Sequence, residues 1–235
     1  MSRILKTELY KLKHNKAYWA ILLLAIIAFV GLGMVDDSKE SFNMAIASSS
    51  SLVPIFGAVV VIGVAQADYS DGTMKNVVSS GISRPAIYIG KMIAAFIGSL
   101  GVFLIEAIVS VGFVVYNGSP VTLDVLFIVK SILLQMVIVA NYTVVYFLLG
   151  SIIRSSALAI SISFVFYLFG AFAFGYVGNF LHISGLLDYE LGTVATAVEQ
   201  VSIKSVTFMH LGVVTCIILV VGCLGMFFFS KQEIK

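Results

Sequence analysis

Charge is what this sequence lacks most. Asp, Glu, Lys and Arg make up 11% of its 235 residues, against 60% hydrophobic residues and a mean hydropathy of +1.08. Soluble domains carry about one-quarter charged residues, so a chain this apolar could not cover itself with polar surface, and lipid must be its solvent. The formal net charge of +2 is too small to suggest nucleic-acid binding, and no nucleic-acid partner is expected. Proline numbers 3 and cysteine 2. Cys216 and Cys223 share one apolar run seven residues apart, which excludes a disulfide between them and a zinc ligand set, and they read as small packing residues.

Catalytic motifs are also missing. There is no H-E-x-x-H, G-x-S-x-G or Cys-x-x-Cys, and His14, His182 and His210 fall near different membrane edges, so neither a catalytic set nor a metal site is expected. The nucleotide-binding pattern G-x-x-x-x-G-K-[ST] fails as well, since Gly90-Lys91 is followed by Met92 and Pro85 stands where the first glycine belongs. The chain by itself cannot hydrolyse ATP in that manner, and no cofactor is expected on it.

What is present is a series of apolar runs near 17–35, 44–67, 92–116, 125–149, 157–181 and 208–229, each long enough for a hydrocarbon layer of about 30 Å. They predict one all-α transmembrane domain, 1–235, with six spans. The first run ends at Met34-Val35-Asp36-Asp37 without a small-x-small cleavage site and reads as a retained anchor. Lys and Arg collect on alternate sides: Arg3, Lys6, Lys11, Lys13, Lys16, Lys75, Arg84, Lys91, Arg154, Lys231 and Lys235 against Lys39 and Lys204. The positive-inside rule then puts both termini in the cytoplasm. Residues 2–16 read as an interfacial amphipathic helix, with Leu5, Leu9 and Leu12 on one face and Arg3, Tyr10 and His14 opposite, although the same charges would serve as a topogenic tail. Residues 182–207 fall outside by this topology, yet Ile183, Leu186, Leu187, Leu191 and Val194 give them an apolar stripe, so they either dip back into the bilayer or pack on the bundle as a loop helix.

Polar residues inside the spans are few: Glu106, Lys130, Gln135 and Asn141. An unpaired intramembrane carboxylate costs several kcal/mol. Glu106 is therefore expected to face the bundle interior, paired with Lys130, hydrogen-bonded to Gln135 or protonated. A helix staple and a cargo contact are both open readings of it. The most informative polar stretch is the loop 68–91. Asp71-Gly72 marks a turn, Thr73 suits the cap of a short helix through Asn76, Val77 and Val78, Gly81 suits its end, and Ser83-Arg84-Pro85 leads back to the membrane. Positive-inside counting alone also accounts for Lys75, Arg84 and Lys91.

The opening Thr7-Glu8-Leu9-Tyr10-Lys11-Leu12-Lys13 and the loop's Asp71-Gly72-Thr73-Met74-Lys75-Asn76, Gly81-Ile82-Ser83-Arg84, Ile87-Tyr88 and Lys91 resemble the membrane subunits of ABC-2 type transporters. The likeness is greatest to small bacterial permeases that export or exclude bacitracin, lantibiotics and cytolytic peptides. It implies an ABC-2 permease fold with an N-terminal elbow helix and a coupling helix between spans two and three. It also implies a bacterial cytoplasmic-membrane protein that pairs with a second permease, a copy or a relative, and docks a separate ABC ATPase carrying ATP and Mg. By position, Asp71, Gly72, Thr73, Lys75 and Asn76 would belong to the coupling helix, and Ser83, Arg84, Tyr88 and Lys91 would secure its return. The family often has Glu before Gly-Thr; this chain offers Asp68 and Asp71, and either could take that role. The expected function is a non-catalytic exporter permease with amphipathic or antimicrobial peptides, or other hydrophobic molecules, as cargo. A secondary-transporter half and an intramembrane enzyme are the competing classes, and the near absence of charge at mid-depth and of a catalytic set weighs against them.

Overall fold

The computed structural model describes residues 2–35, 52–70, 72–79, 81–117, 125–153, 155–183, 186–190, 193–194 and 205–231, and among them every regular element is helical. Helix α1 (Ser2–His14) meets α2 (Lys16–Val35) at a 61° bend. Asn15 makes the bend: its Oδ1 accepts from the Ala17 N–H at 2.9 Å, satisfying a donor that the start of α2 would leave open. Trp19 braces the corner, its Nε1 donating to the Lys13 carbonyl at 2.7 Å. On α1 the buried row is Ile4, Glu8 and Leu12, spaced four apart, while Lys6, Tyr10, Lys13 and His14 are exposed. The inward face is thus rotated from the expected leucine row, Leu5 and Leu9 being only partly buried, because Glu8 turns inward to meet two lysines.

Helix α3 (Val53–Ser70) sits at the centre of the bundle, against α5 (Arg84–Tyr116), α6 (Val125–Ile152) and α7 (Ser156–Phe180); α8 (Ser205–Lys231) packs on α6 and α5. Between α3 and α5 runs the short helix α4 (Met74–Ser79). Glycines allow the close crossings. Gly101 makes room for the Tyr18 hydroxyl, which a Cβ would approach to 2.5 Å, and Gly98 accepts α1 at Leu12. Polar staples join the spans: Gln66 Nε2 donates to the Gly150 and Ile153 carbonyls at the end of α6, at 3.1 and 2.5 Å, and Asn141 Nδ2 donates to Thr215 Oγ1 at 3.0 Å.

Among the described residues four helices, α5 to α8, are long and apolar enough to cross a membrane, or five if the bent α1–α2 pair forms one span. The apolar part of α3, Val53–Tyr69, is shorter than these, and residues 36–51, which carry the first part of the run expected at 44–67, lie outside the described residues. The third span starts eight residues earlier than its apolar run, at Arg84 rather than 92. Pro85 suits the first turn of a helix, where its missing N–H is not needed. Tyr88 and Lys91 then continue the helix because both are buried, the lysine by virtue of its carboxylate partners. Cys216 and Cys223 are exposed rather than packed, since α8 turns Leu211, Val214, Ile218 and Phe229 inward and leaves the cysteines on its outer side.

After α7 the chain doubles back. A 3-10 turn, Leu186–Tyr189, brings Leu186 beside Gly178 and Glu190 beside Gly170, eight residues further along α7, or about 12 Å at the helical rise. Tyr189 stacks edge-on against His210 of α8 at 4.6 Å, and Val194 is buried in the main core. The rest of 182–207 lies largely outside the described residues.

Candidate functional site

At the end of the bundle where α1 lies, four charged side chains from three helices close a ring. Lys11 Nζ donates to Glu8 Oε1 at 3.1 Å and to Asp68 Oδ1 at 2.7 Å. Lys91 Nζ donates to Glu8 Oε2 at 3.2 Å and lies 2.6 Å from Asp68 Oδ2. Two acids and two bases alternate, so the ring is neutral. Glu8, Asp68 and Lys91 are each no more than 5% exposed, while Lys11, at 39%, opens to the outside. Removing such charges from water costs several kcal/mol each, which the mutual attraction roughly offsets; what the ring supplies is a fixed geometry between helices rather than much net stability. Lys91 further donates to the Val64 carbonyl at 3.4 Å.

Asp68 lies in the last turn of α3, just past the apolar run expected at 44–67. Burial alone would push its carboxyl up, but the ammonium groups of Lys91 and Lys11 outweigh that and hold it down to about 2. For Lys11, burial would lower the pKa, and the bonds and charges of Asp68 and Glu8 more than reverse it, so the value is raised. Asp68 and Lys11 are therefore both ionised at neutral pH.

The ring controls where α4 begins. Asp68 Oδ1 also accepts from Thr73 Oγ1 at 3.0 Å, and the Asp68 carbonyl accepts from the Thr73 N–H at 2.9 Å. Thr73, expected to cap α4 with its side chain, instead directs its hydroxyl back to Asp68. Gly72 (φ 65°) and Gly81 (φ 78°) bracket α4 in the left-handed region, which the absence of a side chain permits. Met74 is buried beneath α4 and Val77 packs on the same core, while Lys75 and Ser79 are exposed. The short helix thus presents one wet face while its other face is seated on the bundle.

The remaining loop residues separate by role. Ser83 is exposed; Arg84 is half-buried and donates through Nη1 to the Ser230 carbonyl at 2.9 Å, satisfying the end of α8. Tyr88 is buried, its ring edge-on to Phe147 at 4.9 Å and tilted on Phe229 at 5.6 Å. Ser83 thus precedes α5, and Arg84, Tyr88 and Lys91 lie on it, so they are not loop residues. Asp71 and the Asn76 side chain lie outside the described residues. Asp68, the acid of this stretch that is described, is held by both lysines.

The intramembrane polar residues lie elsewhere. Glu106 on α5 and Gln135 on α6 are buried, as is Ser131 one turn before Gln135, whereas Lys130 is exposed. α6 cannot turn adjacent residues to the same side, and it is Ser131 that faces inward. Four residues that the sequence did not single out for a site are prominent: Glu8, Lys11, Gln66 and Glu190. A helical-wheel count starting from Ile4 would have placed Glu8 in the buried row; no local signal marks Gln66 or Glu190.

A bundle whose long apolar helices can cross a membrane, with charges gathered into one buried ring at its end, is the build of an integral-membrane protein. A family model described as ABC-2 family transporter protein matches residues 4–170, most of the chain, and the chain belongs to that family. No curated protein matches it. Membership makes it a multi-pass permease component of an ABC exporter, a class that is generally non-catalytic.

Proposed function

We propose that this permease exports amphipathic or antimicrobial peptides or similar hydrophobic molecules from a bacterial cytoplasm, as one half of a permease pair driven by a separate cytoplasmic ABC ATPase. In this reading both termini and α4 face the cytoplasm, and α4 is the docking element. The observation that carries it is the coupling of α4 to three helices through one residue: Asp68 bonds Thr73 just before α4 and, in the same carboxylate, Lys11 of α1 and Lys91 of α5. Through Thr73 and Asp68 a push on α4 reaches the elbow and two spans, which is what a membrane half without its own nucleotide site requires.

The exposed Lys75 is the charge on α4 available to a groove on the ATPase, and Arg84, in the first turn of α5, ties the chain's return from α4 to the end of α8. The test is co-purification of the partner ATPase and its ATPase rate with Lys75→Glu and Arg84→Ala, at matched folded yield. Loss of either signal in either variant is the expected result. Full retention by both would leave these residues with a purely topogenic role and would overturn α4 as the docking element.

A further inference from the structure

A groove opens on the flank of the bundle between α1, α2, α3 and α7, with about 180 Å³ of open space in it. A single water needs about 10–15 Å³ of such space, so the groove has room for a chain of several atoms and is not a packing gap. Its two ends differ in chemistry. Deep in the bundle the walls are Ile21 of α2, Val59 and Val60 of α3 and Ile160 of α7. Ala67 lies eight residues further along α3, about 12 Å at the helical rise, and beside it the mouth is formed by Lys11, Asn15 and Ser156. Halfway between, Gly63 leaves the floor bare: it is exposed, and a Cβ there would meet nothing within 4 Å.

The mouth offers donors and positive charge. Lys11 is 39% exposed, and Glu8 and Asp68 take two of the three N–H donors of its ammonium, which leaves one for a ligand. Asn15 Oδ1 is occupied by the Ala17 N–H, so the side-chain nitrogen remains to donate. Tyr18 also lines the groove, but its hydroxyl already donates to the Gly98 carbonyl at 3.3 Å. Glu8, the acid of the lining, is bonded to both Lys11 and Lys91. Residues 2–16 carry Arg3, Lys6, Lys11, Lys13 and Lys16 against that one acid, and Lys6, Lys13 and Lys16 are exposed. The surplus around the mouth is therefore positive and calls for an anion, while the floor calls for hydrocarbon. Both demands are met by one molecule, a lipid with a charged phosphate and an acyl chain.

We propose that this groove holds one anionic phospholipid, its phosphate at Lys11 and Asn15 and one acyl chain lying across Gly63 toward Val59 and Ile160. Lys11 then joins the headgroup to the charge ring, so that the lipid braces the elbow against α3. The proposal needs only that the bundle spans a membrane, and stands apart from cargo and ATPase docking; the proposed sidedness adds that the lipid belongs to the cytoplasmic leaflet.

The experiment uses the full chain in dodecyl maltoside, without ATPase or cargo, titrated with dioleoylphosphatidylglycerol or dioleoylphosphatidylcholine, the bound lipid being counted by native mass spectrometry. The wild type should retain one phosphatidylglycerol per chain, at least tenfold more tightly than phosphatidylcholine, and millimolar inorganic phosphate should not displace it. Gly63→Leu fills the floor with a good helix former and should weaken binding at least tenfold without lowering the melting temperature. Lys11→Gln should weaken it comparably, whereas Lys13→Gln, exposed on α1 but outside the groove, should stay within about twofold of wild type. Should Lys11→Gln fold poorly, Gly63→Leu decides. Equal affinity for the two lipids, unchanged binding by folded Gly63→Leu, equal losses in Lys11→Gln and Lys13→Gln, or displacement by inorganic phosphate would overturn the proposal. A lipid-free wild-type dimer that Gly63→Leu dissociates would also overturn it, and would give the groove to a second copy of the chain.

Discussion

Lys91 is a buried ammonium facing two carboxylates, and its value is best judged from what its loss would leave behind. Lys91→Met would keep the aliphatic stem but strand Glu8 and Asp68 with Lys11 as their one remaining cation. Breaking a buried pair in this way costs about 3–5 kcal/mol, so thermal unfolding in detergent should show a large fall in melting temperature, against a small one for Lys75→Met on the exposed face of α4. The ring also sets a pH window. Asp68 is depressed to about 2 from the ordinary carboxylate value of 3.8, so its stabilisation is present above about 4 and is lost as pH falls through about 2. Lys11 is raised above 10.5, so its contribution holds below that value and is lost as pH rises past it. Melting temperature should be flat with respect to these two groups between those limits and decline beyond each; Asp68→Asn should remove the acid limb. At this scale the sequence was half legible. Asp68 stood out because it opens a polar loop after an apolar run, but Glu8 and Lys11 were hidden in an amphipathic pattern that reads charges as outward, and only their encounter with Lys91, some eighty residues away, reverses that reading.

α4 illustrates what local chemistry settles and what packing decides. Asp71-Gly72 and Gly81 signal its two limits, and the helix lies between them at Met74–Ser79 because both glycines take positive φ. A β-branched residue there would be strained: Gly81→Val should cost about 1–2 kcal/mol by the left-handed penalty, seen as a lower melting temperature and faster amide exchange across 74–79 than across α6. The start of α5 was less legible. Hydropathy stops at Lys91 because it counts a lysine as wet, whereas the ring neutralises it, and the helix consequently extends back to Arg84. The same blindness explains Glu190: nothing within 182–207 shows that Gly170 on another helix leaves a place for its carboxyl.

For the molecule as a whole, the apolar runs made the helical bundle evident, and the family model agrees with the permease class. The proposed sidedness rests on Lys and Arg placement and yields its own prediction. Ser83 and Asn117 are exposed at opposite ends of the bundle. In a Cys216→Ser, Cys223→Ser background, Ser83→Cys should resist an impermeant thiol reagent in intact cells and react after lysis, while Asn117→Cys should react in both; the reverse pattern would invert the topology. The central claim, that the charge ring carries motion from α4 into the spans, is tested most directly by the ATPase rate of the assembled complex bearing Lys91→Met, normalised to bound ATPase subunit. Because the exposed face of α4 is untouched, the subunit should still co-purify, and the rate should fall at least tenfold. A complex that assembles, with folded permease, and turns over ATP at the wild-type rate and moves cargo normally would contradict the account.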